Sequence, residues 1–318
     1  FQFRSTLQPL NFLRIQLDAK RIITENFQET FRYDTQSDSY VSLTPSRGGN
    51  FSLSFLAIRT AFIKDDESNN SPTFINFAQN REIFRDRLNA LNSQGEYGLN
   101  SQDVLIPAFI SAYSKSDPNN FSLKPFPKIP IPNWRIDFSG LSKIKSLSEV
   151  FSNITISHSY QSIYSVGEFS NSLLYIDNLD FNNSIMNYPL ASQLTENGLV
   201  PFYIINQVRI TERFSPLIGI NVRTKNNLNA RIDYKKDRNI MLNLSNAQVS
   251  EIINSDFSID FGYSKDKLKL PFKYMGNTIV LDNEIEFRLN FIIRNTKAIQ
   301  RKIDKESTIT DGNFNFLT

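Results

Sequence analysis

Cysteine is absent from the 318 residues. That removes disulfide frameworks, thiolate metal sites and cysteine nucleophiles, and leaves the compartment open, since many envelope proteins lack cysteine. There is one histidine, His158, and one tryptophan, Trp134. A single histidine without thiols gives little support to a His-based metal site or a Ser-His-Asp triad. No catalytic residue, metal ligand or cofactor is therefore expected. No apolar run reaches the roughly 18 residues of a membrane-spanning helix. A dense Lys/Arg tract is also missing and the net charge is only +3, so nothing points to nucleic acid.

What the chain has is alternation. From Glu284 to Arg294, Ile285, Phe287, Leu289, Phe291 and Ile293 fall on one parity, and Glu286, Arg288, Asn290 and Arg294 on the other, with Ile292 the exception. Side chains in a strand alternate faces, so this ribbon has one apolar and one charged side. Leu13, Ile15 and Leu17 oppose Arg14, Gln16 and Asp18; Ile218, Ile220 and Val222 oppose Gly219, Asn221 and Arg223. In the same way Ala230, Ile232 and Tyr234 oppose Arg231, Asp233 and Lys235, and Phe257, Ile259, Phe261 and Tyr263 oppose Ser258, Asp260, Gly262 and Ser264. A soluble sandwich alternates too. The wall of a water-filled barrel needs the same pattern, and a polar lumen is compatible with the low mean hydropathy of −0.33. On the barrel reading the first members of each pair (Leu13, Ile15, Leu17, Ile218, Ile220, Val222, Ile232, Ile259, Phe261, Ile285, Phe287, Leu289, Phe291, Ile293) face lipid. Arg14, Asp18, Arg231, Asp233, Lys235, Asp260, Glu286, Arg288 and Arg294 face the lumen.

The pattern predicts strands near 12–33, 51–63, 134–139, 152–165, 202–213, 217–226, 228–236, 239–245, 257–264, 284–303 and 313–318. Tight turns are expected at Lys225-Asn-Asn227 and Lys236-Asp-Arg-Asn239, where Asn and Asp tolerate left-handed backbone. Two insertions interrupt the rhythm. Residues 64–133 contain helical spacing over Phe74–Asn92 and Ser101–Tyr113, the latter opening at a candidate cap, Ser101, and containing Pro107. The proline track Pro125–Pro132 cannot be a central strand. The second insertion, 166–201, is polar. Counting strands up and down puts both insertions on one side, as for extracellular loops of a barrel. Both chain ends read as interruptions of a longer polypeptide, whose open strand edges would pair with the remaining strands.

Five motifs are distinctive in their order: Asn100-Ser-Gln-Asp-Val-Leu-Ile-Pro-Ala-Phe109, Pro132-Asn-Trp-Arg135 with Phe138-Ser-Gly-Leu141, Ser157-His-Ser-Tyr160 with Tyr164-Ser-Val-Gly167, Glu212-Arg-Phe-Ser-Pro-Leu-Ile-Gly219, and Ile293-Arg-Asn-Thr296. Together they resemble the C-terminal part of the SprA/Sov family, giant outer-membrane translocons of the type IX secretion system linked to gliding motility. The resemblance implies residues 1–318 as a segment of a very large transmembrane antiparallel up-and-down β-barrel, in an all-β class with helix-containing long loops. Such barrels reach about 36 strands. It further implies location in the outer membrane of a Gram-negative bacterium, and passage of folded substrates with a C-terminal signal to the cell surface. A PorV-type partner barrel at a lateral opening and a plug protein are the implied partners, with membrane lipid around the wall. A soluble β-sandwich adhesin and a smaller uptake barrel are the alternatives.

The remaining candidates are structural. His158 shares parity with Ile154 and Ile156 and is expected near an interface. Asp65-Asp66-Glu67 lacks the glycine and terminal glutamate of an EF-hand and reads as a solvated loop rather than a calcium site. Arg47-Gly-Gly49 reads as a turn. Trp134 suits either a membrane-boundary girdle or simple packing, and the helices of 74–113 suit a cap packed over the barrel rim. The mixed signs of the lumen set suit a wide conduit better than an ion filter.

Overall fold

The computed structural model describes residues 1–175, 188–195, 198–274, 277–281, 283–303 and 310–317. Its strands are β1 (Gln2–Leu10), β2 (Leu13–Asp34), β3 (Ser39–Ser54), β4 (Asn133–Phe138), β5 (Phe151–Asn171), β6 (Ser192–Thr195), β7 (Gly198–Val200), β8 (Tyr203–Ile205), β9 (Gln207–Thr224), β10 (Leu228–Asn243), β11 (Gln248–Lys265), β12 (Leu268–Tyr274), β13 (Asn277–Leu281), β14 (Ile285–Lys302) and β15 (Thr310–Leu317). Helices α1 (Pro72–Asn89), α2 (Gln102–Ser114) and the short α3 (Lys145–Ser148) complete the list. Eleven strands form one antiparallel sheet in the order β1-β2-β3-β5-β9-β10-β11-β14-β15. Strand β4 lies between β2 and β5, and β8 lies against β5. Strands β12 and β13 form a separate hairpin, as do β6 and β7.

The sheet corrects the expected topology in three places. First, β3 and β4 are not an up-down pair. Both run antiparallel to β2 and β5 and share a single slot: β3 pairs Arg21–Asp34 of β2, and β4 pairs Leu13–Asp18. The chain leaves this slot at Ser54, builds the helical insertion, and re-enters it at Asn133. The insertion therefore buds from within the sheet instead of connecting two neighbouring strands at its end. The count that grouped both insertions on one side no longer holds. Phe138, Phe151, Lys265 and Ile285 end their strands at one end of the sheet, and Asn171 and Gln207 at the other.

Second, Lys236–Asn239 is not a turn. Strand β10 runs through it, with Lys236 opposite Phe214 and Ser255, and Asn239 opposite Thr211 and Ile252. Burial of Arg238 against the insertion overrides the local turn propensity. The hairpin turns lie at 225–227 and 244–247, where Asn227 and Ala247 take φ of 59° and 49°. Third, the predicted strand 202–213 splits into β8 and the start of β9, and β9 then runs on through the predicted strand 217–226 with a bulge over Ser215–Leu217. Tyr234 pairs Ile218 and Lys236 pairs Phe214, so the extra residues loop out where Pro216 offers no N–H.

Helix α1 starts with Pro72 at its first position, and Ser71 accepts from Phe74 N–H. Helix α2 begins after Ser101, whose hydroxyl makes no capping bond. It ends on Lys115 in the left-handed region, φ 54°. Val104 through Ala112 are buried on all sides of α2, as befits a helix in a core. One apolar cluster joins Phe77, Phe84 and Leu88 of α1 and Val104–Tyr113 of α2 to sheet residues Phe51, Leu53, Tyr164, Val166, Val208, Ile210, Ile240, Leu242 and Val249. The insertion thus packs flat on the sheet, where a cap over the rim was expected.

Candidate functional site: a two-faced wall and the seam beneath its apolar band

The register assigns every side chain of the central strands to a face. Ile232 pairs Ile220 and Ile259, and Ile259 pairs Phe291. Ile220 pairs Ile156, Ile156 pairs Phe138, and Phe138 pairs Leu13. The fourteen apolar residues singled out above therefore share one continuous face, and the nine charged ones share the other. On the apolar face Ile218, Phe287 and Leu289 are 57%, 52% and 68% exposed. Ile232, Phe261, Phe291 and Ile293 are also exposed, while Leu13, Ile15, Leu17, Ile220, Val222, Ile259 and Ile285 are partly so. On β14 the apolar stretch runs from Ile285 to Ile293, about 30 Å of extended strand.

The opposite face neutralises itself locally. Arg231 reaches Asp233 at 2.8 Å, Arg288 reaches Glu286 at 2.7 Å, and Arg294 grips both oxygens of Asp256 at 2.9 and 3.0 Å. Asn290 donates to Asp260, and Arg4 faces Asp18 at 3.4 Å. Arg14 is exposed and Lys235 half-buried. Asp233 departs from the expected solvated position. It is only 3% exposed, beneath Arg231 and beside Gly219, where an added Cβ would stand 2.7 Å from its carboxylate.

The apolar face changes character along the strands. At one level Leu17, Trp134, Tyr160, Phe214 and Lys236 stand in register. Trp134 stacks on Tyr160 at 4.5 Å, Tyr160 meets Phe214 at 5.0 Å, and His158 packs between Trp134 and Phe214. The imidazole is held through Nδ1 by the Leu217 carbonyl at 2.7 Å, a packing role. Beyond this aromatic row the same face is covered by the insertion, and it carries charge.

Glu212, fully buried, accepts from Tyr160 hydroxyl at 2.8 Å and from Arg238 Nε at 3.0 Å. Arg238 also donates to the Thr60 carbonyl at 2.9 Å and the Thr60 hydroxyl at 2.8 Å. Thr60 in turn donates to the Tyr113 carbonyl of α2 at 2.8 Å. Arg301 bridges Glu251 at 3.2 Å and Asp65 at 2.7 Å, with Lys297 at 3.7 Å from Asp65. Hence Asp65 is an ion-pair partner of the wall. Asp66 closes its own loop by accepting from Ser68 and Asn70. Among the described residues no group of three or more acidic, His or Cys side chains is arranged to hold a metal.

Sequence reasoning passed over this seam, although a signal existed. Lys236, Arg238, Glu251, Lys297 and Arg301 sit on the parity that is apolar elsewhere on their strands. Charges on the apolar parity mark where the apolar band ends.

No family model matches the chain, and no curated protein matches it. No helix among the described residues is long and apolar enough to cross a membrane.

Proposed function

We propose that this chain is part of the wall of a giant outer-membrane β-barrel that conducts folded proteins to the cell surface, as the resemblance to type IX translocons implies. The observation that carries the membrane part is the exposed apolar band. Alternate residues of a nine-residue stretch of β14 (Ile285, Phe287, Leu289, Phe291 and Ile293), with matching stretches of β9, β10 and β11, present apolar side chains on one face. A tilted strand of about 9–11 residues crosses the hydrocarbon layer, and an apolar band about 25 Å tall is what it presents. Isolated exposed leucines need no explanation, but a contiguous patch over several strands does. Of the aromatic row at the end of the band only Trp134 is partly exposed, a position that suits a girdle residue, while Tyr160 and Phe214 are buried beneath residues 56–62.

The opposite face, wet and charge-balanced, suits a wide conduit that works by shape and does no bond chemistry. Among the described residues no second sheet covers Phe287 and Leu289, as a sandwich formed within this chain would require. On this reading the insertion lies on the outer side of the wall, beyond the hydrocarbon layer. The remaining strands of the barrel, a PorV-type partner, a plug protein and substrates with C-terminal signals are its proposed partners.

Depletion of the full-length protein in its native cell tests the function. Proteins carrying the C-terminal signal are expected to accumulate in the periplasm. Their undiminished appearance at the cell surface under full depletion would refute the proposal.

A further inference from the structure

Between the insertion and the wall, just past the aromatic row, lies a cavity of about 510 Å³ lined by residues of β10, β11, β14, α2 and the segment 60–73. Its polar lining is lopsided. Lys64, Lys236, Arg238 and Lys297 stand against two carboxylates, Asp65 and Glu251. Lys236 donates to the Ala61 carbonyl at 2.7 Å and lies 4.6 Å above the Phe62 ring. Phe62, Ile63 and Tyr234 line the same cavity, and all three are exposed. Tyr234 is also the last apolar residue of the band on β10, opposite Phe257 and Ile218. The cavity therefore has a cationic interior and an apolar lip continuous with the band.

A second observation points to a ligand. Tyr113 is 1% exposed, lines this cavity, and its hydroxyl has no hydrogen-bond partner among the described residues. A buried hydroxyl without a partner is costly and rare. The charges that reach it are those of Glu251, Arg301, Arg238 and Asp65, and burial holds the phenol protonated, so it is a donor. Lysine ammonium groups together with a neutral hydroxyl donor are a set that takes phosphate.

We propose that this cavity binds the phosphate of an anionic membrane lipid, with Lys64, Lys297 and Tyr113 contacting the headgroup and Phe62, Ile63 and Tyr234 leading its chains onto the apolar band. The inference rests on the membrane reading above. A headgroup site at the border between an apolar wall and a covered, charged region lets a lipid fasten the insertion to the barrel at the level of the bilayer surface, where basic residues gain from anionic lipid.

The test uses full-length protein in uncharged detergent, titrated with fluorescent-tailed phosphatidylglycerol and followed by anisotropy. Phosphatidylcholine and millimolar inorganic phosphate serve as comparison arms. Saturable binding of phosphatidylglycerol is expected, with phosphatidylcholine weaker and inorganic phosphate unable to displace the lipid. Lys64→Ala with Lys297→Ala should weaken binding about tenfold or more. Tyr113→Phe removes only an unpartnered hydroxyl. It should leave the unfolding midpoint at or above that of wild type while weakening binding about fivefold.

Equal affinity for both lipids, or indifference to all three substitutions, overturns the site. Displacement by inorganic phosphate overturns the lipid as its occupant. Recovery of the native protein without detergent from the soluble fraction sinks the membrane reading itself, whereas membrane-bound protein with no headgroup preference sinks only this inference.

Discussion

On the membrane reading proposed above, an arginine moved along β14 measures depth in the bilayer. Ile285, Leu289 and Ile293 occupy one face of the same strand, four residues apart, with Leu289 at the middle and 68% exposed. Four residues of strand are about 13 Å, and a tilt near 40° makes that roughly 10 Å of depth. Leu289 then lies near the midplane and the other two near the interfaces. Arginine at the midplane of a barrel costs about 2–4 kcal/mol, against about 0–1 near the interfaces. Leu289→Arg should therefore lower the folding equilibrium by a factor of about 30 to 1,000, at 1.4 kcal/mol per tenfold. Ile285→Arg and Ile293→Arg should lower it by less than about fivefold. Denaturant titration of full-length protein reconstituted in lipid vesicles reads the three midpoints. On a protein surface in water all three would stay within about 0.5 kcal/mol of wild type. A flat profile across the three positions would refute the reasoning.

Other perturbations address the seam and the insertion. Glu212→Ala removes the nearest carboxylate of the buried Arg238 guanidinium, leaving Glu251 at 3.8 Å, and should cost about 3 kcal/mol, seen as protease cleavage of the 55–132 insertion at lower denaturant than in wild type; unchanged cleavage would mean the pair does not hold the insertion. Burial raises the Asp103 carboxyl to about 6, opposed only partly by the Tyr188 hydroxyl at 2.8 Å and by Gln102. For an acid raised in the folded state the penalty is absent below about pH 4 and complete above about pH 6. Insertion stability should therefore fall by about 3 kcal/mol from pH 4 to pH 7, and Asp103→Asn should abolish that fall in hydrogen-exchange measurements. Gly49→Ala would set a Cβ 1.8 Å from the Thr24 carbonyl oxygen. It should loosen the β2–β3 pairing by about 1–3 kcal/mol, visible as faster amide exchange across Glu25–Phe27; unchanged exchange there would place the two strands farther apart than described.

How much of this was legible in the sequence depends on the range of the interaction. The two faces of β9, β10, β11 and β14 were readable, because period-two alternation is local and the register keeps each parity together. The shared slot of β3 and β4 was not. Their pairing with β2 and β5 is settled by contacts across a segment of nearly eighty residues, which strand counting treats as a loop. The turn expected at Lys236–Asn239 failed for a related reason. Arg238 is fixed by Glu212 and Thr60, both remote in sequence, and that outweighs the local preference of Asp and Asn. Parity also could not separate Ile232 from Ile240 or Leu242. All three occupy the same face, but one is exposed and the others lie under α1 and α2. Helical spacing in 74–113 gave both helices within a few residues, yet it carried no information about the surface they cover.

These 318 residues carry no cysteine, so one measurement is direct once any cysteine elsewhere in the full-length protein is replaced by serine. Single cysteines placed in turn from Ile285 to Arg294, in full-length protein in native membranes, can be challenged with a water-soluble maleimide. The account predicts labelling at 286, 288, 290, 292 and 294 and protection at 285, 287, 289, 291 and 293 until detergent is added. Equal labelling of both sets in intact membranes would contradict it.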